Sequence, residues 1–151
     1  MVRDSKKLSP ARREAIFERM AATGGIHIAY AMVDASSIDE INILQATLLA
    51  MRQAVLGLET RPSCAIVDGN TSPELPCRCI AIVGGDRLEP SISAASIVAK
   101  VIRDRYMDRM ETLYPGYGFA QHKGYPTKAH YEAIRTLGAS AIHRRSFKGV
   151  C

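Results

Sequence analysis

Two short apolar runs, each closing on a turn that carries an aspartate, constrain this chain more than any other feature. Ala65-Ile66-Val67 closes on Asp68-Gly69-Asn70, and Cys79-Ile80-Ala81-Ile82-Val83 closes on Gly84-Gly85-Asp86. Short apolar runs without alternation suit strands covered on both faces, as in an α/β sheet. Thr71 to Pro76, between them, holds two prolines and reads as a loop. The patterning around these runs supplies the helices that such a sheet needs.

Ser9-Pro10 is a helix start, with Ser as N-cap and Pro at the first helical position. Ile16, Phe17, Met20 and Ala21 share a face, and Gly24-Gly25 stops that helix. Ile26 to Val33 alternates loosely and reads as a third strand. Ser37-Ile38-Asp39-Glu40 has the spacing of a capping box, and Ile41, Leu44, Leu48, Met51 and Val55 follow as a core-facing helical stripe. A long helix begins at Ser91 or Ser93, runs toward Leu113 and ends at Pro115-Gly116-Tyr117-Gly118. Its small first residues imply close backbone packing. Thr127 caps a last helix that stops at Gly138. No repeat, low-complexity tract or linker interrupts the chain, so residues 1–151 read as a single domain.

Composition narrows the class. The balance of 47% hydrophobic and 23% charged residues is that of a globular domain. The longest stretch without Asp, Glu, Lys or Arg, Met20 to Val33, is shorter than the roughly 20 residues of a membrane span. The first residues carry charge with no apolar run behind them, unlike a secretory signal. Twenty basic against fifteen acidic residues lean toward a polyanionic partner. Cys64, Cys77, Cys79 and Cys151 fit neither a disulfide framework nor a zinc ribbon, so they read as reduced, buried or half-buried thiols in a cytoplasmic protein. A small zinc protein built on Cys64, Cys77 and Cys79 is the weakest alternative.

Asp68 and Asp86 end successive strands, and ligands of open α/β sheets gather outside the carboxyl ends of strands. Carboxylates converging without His or Cys favour a hard cation, Mg²⁺ or Mn²⁺, over zinc. The ordinary alternative is a pair of turn aspartates, since Asp-Gly is a common turn signal. Cationic density lies in two places. Asp4-Ser5-Lys6-Lys7-Leu8-Ser9 precedes a helix N-terminus, where phosphate is well placed. Gln121-His122-Lys123-Gly124-Tyr125-Pro126-Thr127 sets base, ring and hydroxyl in one loop, where a ring can stack on a nucleotide. Solvated lysines and a partly packed tyrosine are the plainer reading, and His122 and His143 taken singly read as structural.

Taken in order, these segments closely resemble type 2 ribonuclease H (ribonuclease HII) of bacterial kind. The matching residues are Asp4 to Ser9, Ile66-Val67-Asp68-Gly69-Asn70, Gly85-Asp86, Ile92 to Val101, His122-Lys123-Gly124-Tyr125-Pro126-Thr127 and His143-Arg144-Arg145-Ser146-Phe147. The resemblance covers nearly the whole chain. It implies a ribonuclease-H-like mixed sheet flanked by helices, with a helical carboxyl-terminal part. It implies a monomeric endonuclease that uses two divalent ions, Mg²⁺ or Mn²⁺. Its substrates would be RNA in RNA–DNA hybrids and ribonucleotides embedded in duplex DNA, cut to 3′-hydroxyl and 5′-phosphate ends. Asp68 and Asp86 match the third and fourth metal ligands of that family. Tyr125 matches its junction-reading tyrosine, and Ser5, Lys6, Lys7, His122 and Lys123 fall in motifs that line its nucleic-acid groove. Asp104 matches no catalytic position.

The family pattern also has an Asp-Glu pair and a Gly-Arg-Gly loop upstream of Asp-Ser-Lys-Lys-Leu, and neither Asp34 nor Asp39-Glu40 stands in for that pair. The resemblance therefore implies an amino-terminally truncated domain. In such a domain Ile26–Val33 is either detached from the sheet or paired directly with Ala65–Val67. An inactive duplex-binding remnant is the alternative function.

Overall fold

The structure is a computed structural model that describes residues 8–150. Two helices come before the strands, α1 (Pro10–Ala22) and α2 (Ala35–Leu56). The strands are β1 (Cys64–Asp68) and β2 (Arg78–Ile82). They are followed by α3 (Gly85–Leu88), α4 (Pro90–Leu113), α5 (Phe119–His122) and α6 (Lys128–Leu137). The described residues fall into two compact units. One is drawn from the described residues up to Met32 and from Thr47–Val101, the other from Val33–Ala46 and the described residues from Ile102 onward.

In the first unit, Ser9 caps α1 through its hydroxyl, which accepts from Arg12 N–H, and Pro10 opens the helix. Arg13 is buried, and its guanidinium donates to the Leu8 carbonyl at 2.6 Å. Strands β1 and β2 form a parallel pair in which Cys64 faces Arg78 and Asp68 faces Ile82. A loop containing Pro73 and Pro76 makes the connection, as the two prolines predict. Helix α3 lies against β1. The inward side of the first half of α4 is Ile92, Ser93, Ile97, Val98 and Val101, all buried, with Ser93 only 1% exposed. Of the small first residues only Ser93 is buried, and Ser91 and Ala95 are exposed, so the close packing expected of them is carried mainly by the larger Ile and Val side chains. The helix starts at Pro90, a residue ahead of the expected serines.

Three readings of this unit are corrected. Residues 26–34 belong to no strand, and Ile26, Tyr30 and Met32 are exposed. Alternation makes a segment suited to a sheet, but a strand exists only where a neighbour takes up its backbone groups. Of the two expected arrangements, the described residues show the one with this segment outside the sheet. The strands are also not covered on both faces: Val67 alone is buried in β1, and Ile80 is exposed in β2. In a two-stranded sheet both strands are edges. Finally, Cys64 is exposed rather than buried, while Cys77 and Cys79 are half-buried, and all three are free thiols.

The second unit corrects the start of α2. Asp34, not Ser37, caps it: one carboxylate oxygen accepts from Ser37 N–H at 2.8 Å and from the Ser36 hydroxyl at 2.7 Å. Asn42 then breaks the helix at φ 68° and ψ 165°, and its side-chain oxygen accepts from Leu44 and Gln45 N–H to start the next turn. The stripe read across Ile41 and Leu44 is split by that break, and Leu44 is exposed. Asp39, read as part of a capping box, instead receives Arg145 N–H at 2.7 Å and Ser146 N–H at 2.9 Å. The core here is Met107, Tyr117, Phe119 and Ile134. Tyr117 and Phe119 stack with centroids 5.2 Å apart. Thr127 caps α6 and Gly138 ends it, as expected.

Candidate functional site

Asp68 is the last residue of β1, and the pairing continues one step beyond it, with Gly69 N–H donating to the Ile82 carbonyl at 3.0 Å. After β2 the chain turns through Gly84, at φ 69°, into the first turn of α3, which carries Asp86. One oxygen of Asp68 accepts from Gly85 N–H at 2.8 Å. The two aspartates therefore flank one hydrogen-bonded amide at the carboxyl ends of two parallel strands. Gly85 permits this approach. A Cβ there would lie 2.6 Å from Ile92 Cδ1 and 3.4 Å from Ile82 Cβ. The Asp86 side chain is 14% exposed, with Arg87 Nε 4.0 Å from its oxygen. Asp68 is exposed.

The donor atoms of this edge are carboxylate oxygens, the set that suits a hard cation which retains water. Among the described residues, no three His, Cys, Asp or Glu side chains come together as a metal-binding group. Cys64, Cys77 and Cys79 form no such group. Two protein oxygens suit an ion that keeps most of its waters.

In the second unit, residues 122–127 are held from several directions. Arg103 donates to the Lys123 carbonyl at 3.1 Å, and the Lys123 ammonium is paired with Asp108. Gly124 sits at φ 77°, where a Cβ would lie 2.9 Å from Arg103 Nη2. Tyr125 N–H donates to the His122 carbonyl at 2.8 Å, and Thr127 N–H donates to the Tyr125 carbonyl at 2.8 Å. The Tyr125 side is open, at 57% exposure.

Three buried histidines lie beneath this loop around Phe119. The backbone donors fix their tautomers. Ser140 N–H donates to His143 Nδ1 at 3.0 Å, so the His143 proton is on Nε2. That nitrogen is 3.1 Å from His130 Nε2, which must accept, so His130 carries its proton on Nδ1. His130 Nδ1 in turn donates to the Tyr125 carbonyl at 3.0 Å. Gly124 N–H donates to His122 Nδ1 at 3.2 Å, leaving Nε2–H to donate to the Tyr117 carbonyl at 2.7 Å. Burial pushes His130 and His143 below the usual histidine range, and each is further lowered by its neighbouring imidazoles.

The sequence-derived site residues thus separate into three groups. Asp68 is hydrogen-bonded to Gly85, the residue before Asp86. Tyr125 is presented outward, while His122 is buried with both ring nitrogens engaged and Lys123 is paired. Ser5, Lys6 and Lys7 lie outside the described residues. Sequence reasoning missed His130, Ser140, Arg103 and Asp108 as supports of the loop. His130 and Ile134 lie four apart after the Thr127 cap, a helical face pattern that could have marked His130 as inward-facing.

A parallel pair with acidic residues gathered beyond its carboxyl ends, joined to a helical carboxyl-terminal part, defines an α/β protein of the ribonuclease-H-like kind. The family model described as Ribonuclease HII matches residues 1–150. Ribonuclease HII of Shewanella pealeana is 50% identical over 147 residues, covering 97% of this chain and 72% of that protein. Ribonuclease HII of Aliivibrio fischeri is 51% identical over 149 residues, covering 97% of this chain and 70% of that one. The crystal structure of ribonuclease H2 from Pyrococcus horikoshii is similar with TM-score 0.80 and 26% identity, covering 99% of this chain and 78% of that one. The chain belongs to the ribonuclease HII family, a family of ribonuclease H-type endonucleases. Among the described residues, no helix is long and apolar enough to cross a membrane.

Proposed function

We propose that this chain acts as a divalent-metal-dependent endonuclease on RNA in RNA–DNA hybrids and on single ribonucleotides embedded in duplex DNA. The products would carry 3′-hydroxyl and 5′-phosphate ends. The observation that carries this reading is the Asp68–Gly85–Asp86 edge, where the Asp68 carboxylate at the end of one strand accepts from the amide of the residue before Asp86, in the turn after the adjacent strand. Mg²⁺ or Mn²⁺ held by Asp68 and Asp86 supplies positive charge against the phosphate and a more acidic water. The Gly85 N–H holds one Asp68 oxygen in place and leaves the other for ligation. Burial of the Asp86 side chain restricts its rotamers in the same way. Tyr125 offers its ring to the sugar beside the ribonucleotide, and Ser5, Lys6, Lys7, His122 and Lys123 belong to the segments assigned to the duplex. For His122 the assignment is indirect, through the backbone of the loop it braces.

A second reading is duplex binding without hydrolysis, favoured by the absence of a third metal-ligating side chain beside Asp68 and Asp86 among the described residues. The deciding experiment is incubation of the purified chain with a labelled duplex containing one ribonucleotide, with Mg²⁺ or Mn²⁺. Cleavage at the ribonucleotide that is lost in Asp68→Asn supports the first reading. Tight binding with no cut strand supports the second. Cleavage that survives both Asp68→Asn and Asp86→Asn overturns the metal assignment.

A further inference from the structure

The buried histidines form a directed chain that ends on the residue offered to substrate. Ser140 N–H, His143, His130 and the Tyr125 carbonyl are linked donor to acceptor through contacts of 3.0, 3.1 and 3.0 Å. The Ser140 hydroxyl is a further 2.7 Å neighbour of His143 Nδ1. We propose that His143 and His130 are positioning residues that set the presentation of Tyr125, and that this relay holds only while both imidazoles are neutral. The proposal rests on the reading of Tyr125 as the sugar contact.

Each link has one polarity only. A proton added to His143 goes to Nδ1, where the Ser140 hydroxyl at 2.7 Å can accept it while the Ser140 N–H loses its acceptor. A proton added to His130 goes to Nε2 and faces the His143 Nε2–H. Among the described residues, no carboxylate contributes to the electrostatics of either imidazole. The groups packed around the pair are the His122 imidazole, whose ring centroid is 4.2 Å from that of His130, and the Arg144 guanidinium, which opposes charge on His130. The Tyr117 and Phe119 rings complete the surroundings. Cationic neighbours and burial both press the relay toward its neutral form, while acid would break it at one link or the other. The Tyr125 carbonyl also accepts from Thr127 N–H at 2.8 Å, and neither added proton falls on the His130 Nδ1–H link, so acid would act on Tyr125 through displacement of the His130 ring away from His143 Nε2–H.

The test uses the whole chain in two arms. Long-range ¹H–¹⁵N NMR of the free protein at about pH 7.5 should show His130 as the Nδ1–H tautomer, with His122 and His143 as Nε2–H. A charged His130 or an Nε2–H tautomer there overturns the relay. In the second arm, anisotropy with EDTA present compares a duplex carrying one ribonucleotide with its all-deoxy counterpart. The ribonucleotide preference should fall as pH drops from about 7.5 to about 5.5. It should be reduced about tenfold and become pH-independent in His130→Leu. His130→Asn, whose amide keeps a donor toward the Tyr125 carbonyl, should restore most of it without the pH dependence.

A pH-independent preference in the natural sequence overturns the proposal, and so does a folded His130→Leu that keeps the preference. If His130→Leu does not fold, the tautomers and the pH profile of the unsubstituted chain decide. Loss of preference in Tyr125→Ala with full preference in His130→Leu discards the relay alone. An unchanged preference in Tyr125→Ala discards the sugar contact and the relay with it.

Discussion

The carboxylate edge and the Tyr125 loop hold their working groups by opposite means. At the edge, the backbone does most of the placing: two strands in register, a glycine turn, and one amide that fixes an Asp68 oxygen. At the loop no ladder exists, and side chains from elsewhere in the second unit reach in to hold backbone carbonyls and amides. Placement by backbone tolerates most side-chain changes but fails where space is lacking. Placement by side chains fails at single residues and responds to their protonation. Four measurements separate the two modes.

The largest effect is expected at the edge. Asp68→Asn keeps an oxygen for Gly85 N–H but removes the negative ligand, so cleavage of a ribonucleotide-containing duplex should drop by at least about a hundredfold. Thermal stability should stay near that of the parent. Asp104→Asn, by contrast, should cleave normally, and a large loss there would move the metal site onto α4.

Next comes Gly85→Ala, which tests space rather than charge. The added methyl meets Ile92 Cδ1, and Ile92 is buried, so repacking is forced. A loss of about 1–3 kcal/mol is expected in denaturant unfolding, together with impaired cleavage. Wild-type stability would show that the Asp68–Gly85 approach is loose.

The loop should respond to acid instead. The folded-state values of His130 and His143 are lowered, so the unfolded chain takes up protons first as pH falls through about 6.5. Their contribution to stability is complete above the unfolded value and is lost as pH falls through the window down to the lowered folded values. Urea midpoints measured from about pH 7.5 to about pH 5 should decline, and the decline should flatten in His130→Asn. A midpoint insensitive to pH over that range would mean that the imidazoles are not held neutral.

The smallest effect belongs to Asp39→Ala. Its carboxylate is held below the usual range, first by the Ser146 hydroxyl and then by the Ser146 amide. With a lowered folded value, this contribution is present above about pH 3.9, the usual unfolded aspartate value, and is lost as pH falls further. Melting temperature at neutral pH should fall by less than in Gly85→Ala. A larger fall would rank a side-chain clamp above the packed turn.

Much of this was legible in the sequence where a single local rule decided the outcome. Ser9-Pro10, Thr127 and Gly138 set helix ends because a cap needs only its immediate neighbours. Asp68 and Asp86 were legible because strand ends and turns are local too. Ile26 to Val33 misled because alternation describes one segment, whereas pairing belongs to two. Ser37 misled because Asp34, three residues earlier, accepts the Ser37 N–H itself and so starts the helix ahead of it. The support of Tyr125 was invisible for a different reason: His143 lies 13 residues beyond His130, and Arg103 is 20 residues before Lys123. No local pattern reports a contact across such separations.

Asp39 receives amides 106 and 107 positions downstream, and the unit to which it belongs takes its residues from both sides of an intervening stretch. During synthesis from the amino terminus, residues Val33–Ala46 emerge long before their partners, at a few to tens of residues per second. They must wait for Arg145 and Ser146, which follow the whole of Thr47–Val101. Synthesis of Arg145 and Ser146 is thus the step that supplies Asp39 with both amides. Ribosome-bound intermediates stalled just before and just after Ser146 should therefore differ in protease resistance within Val33–Ala46, far from the point at which synthesis stopped.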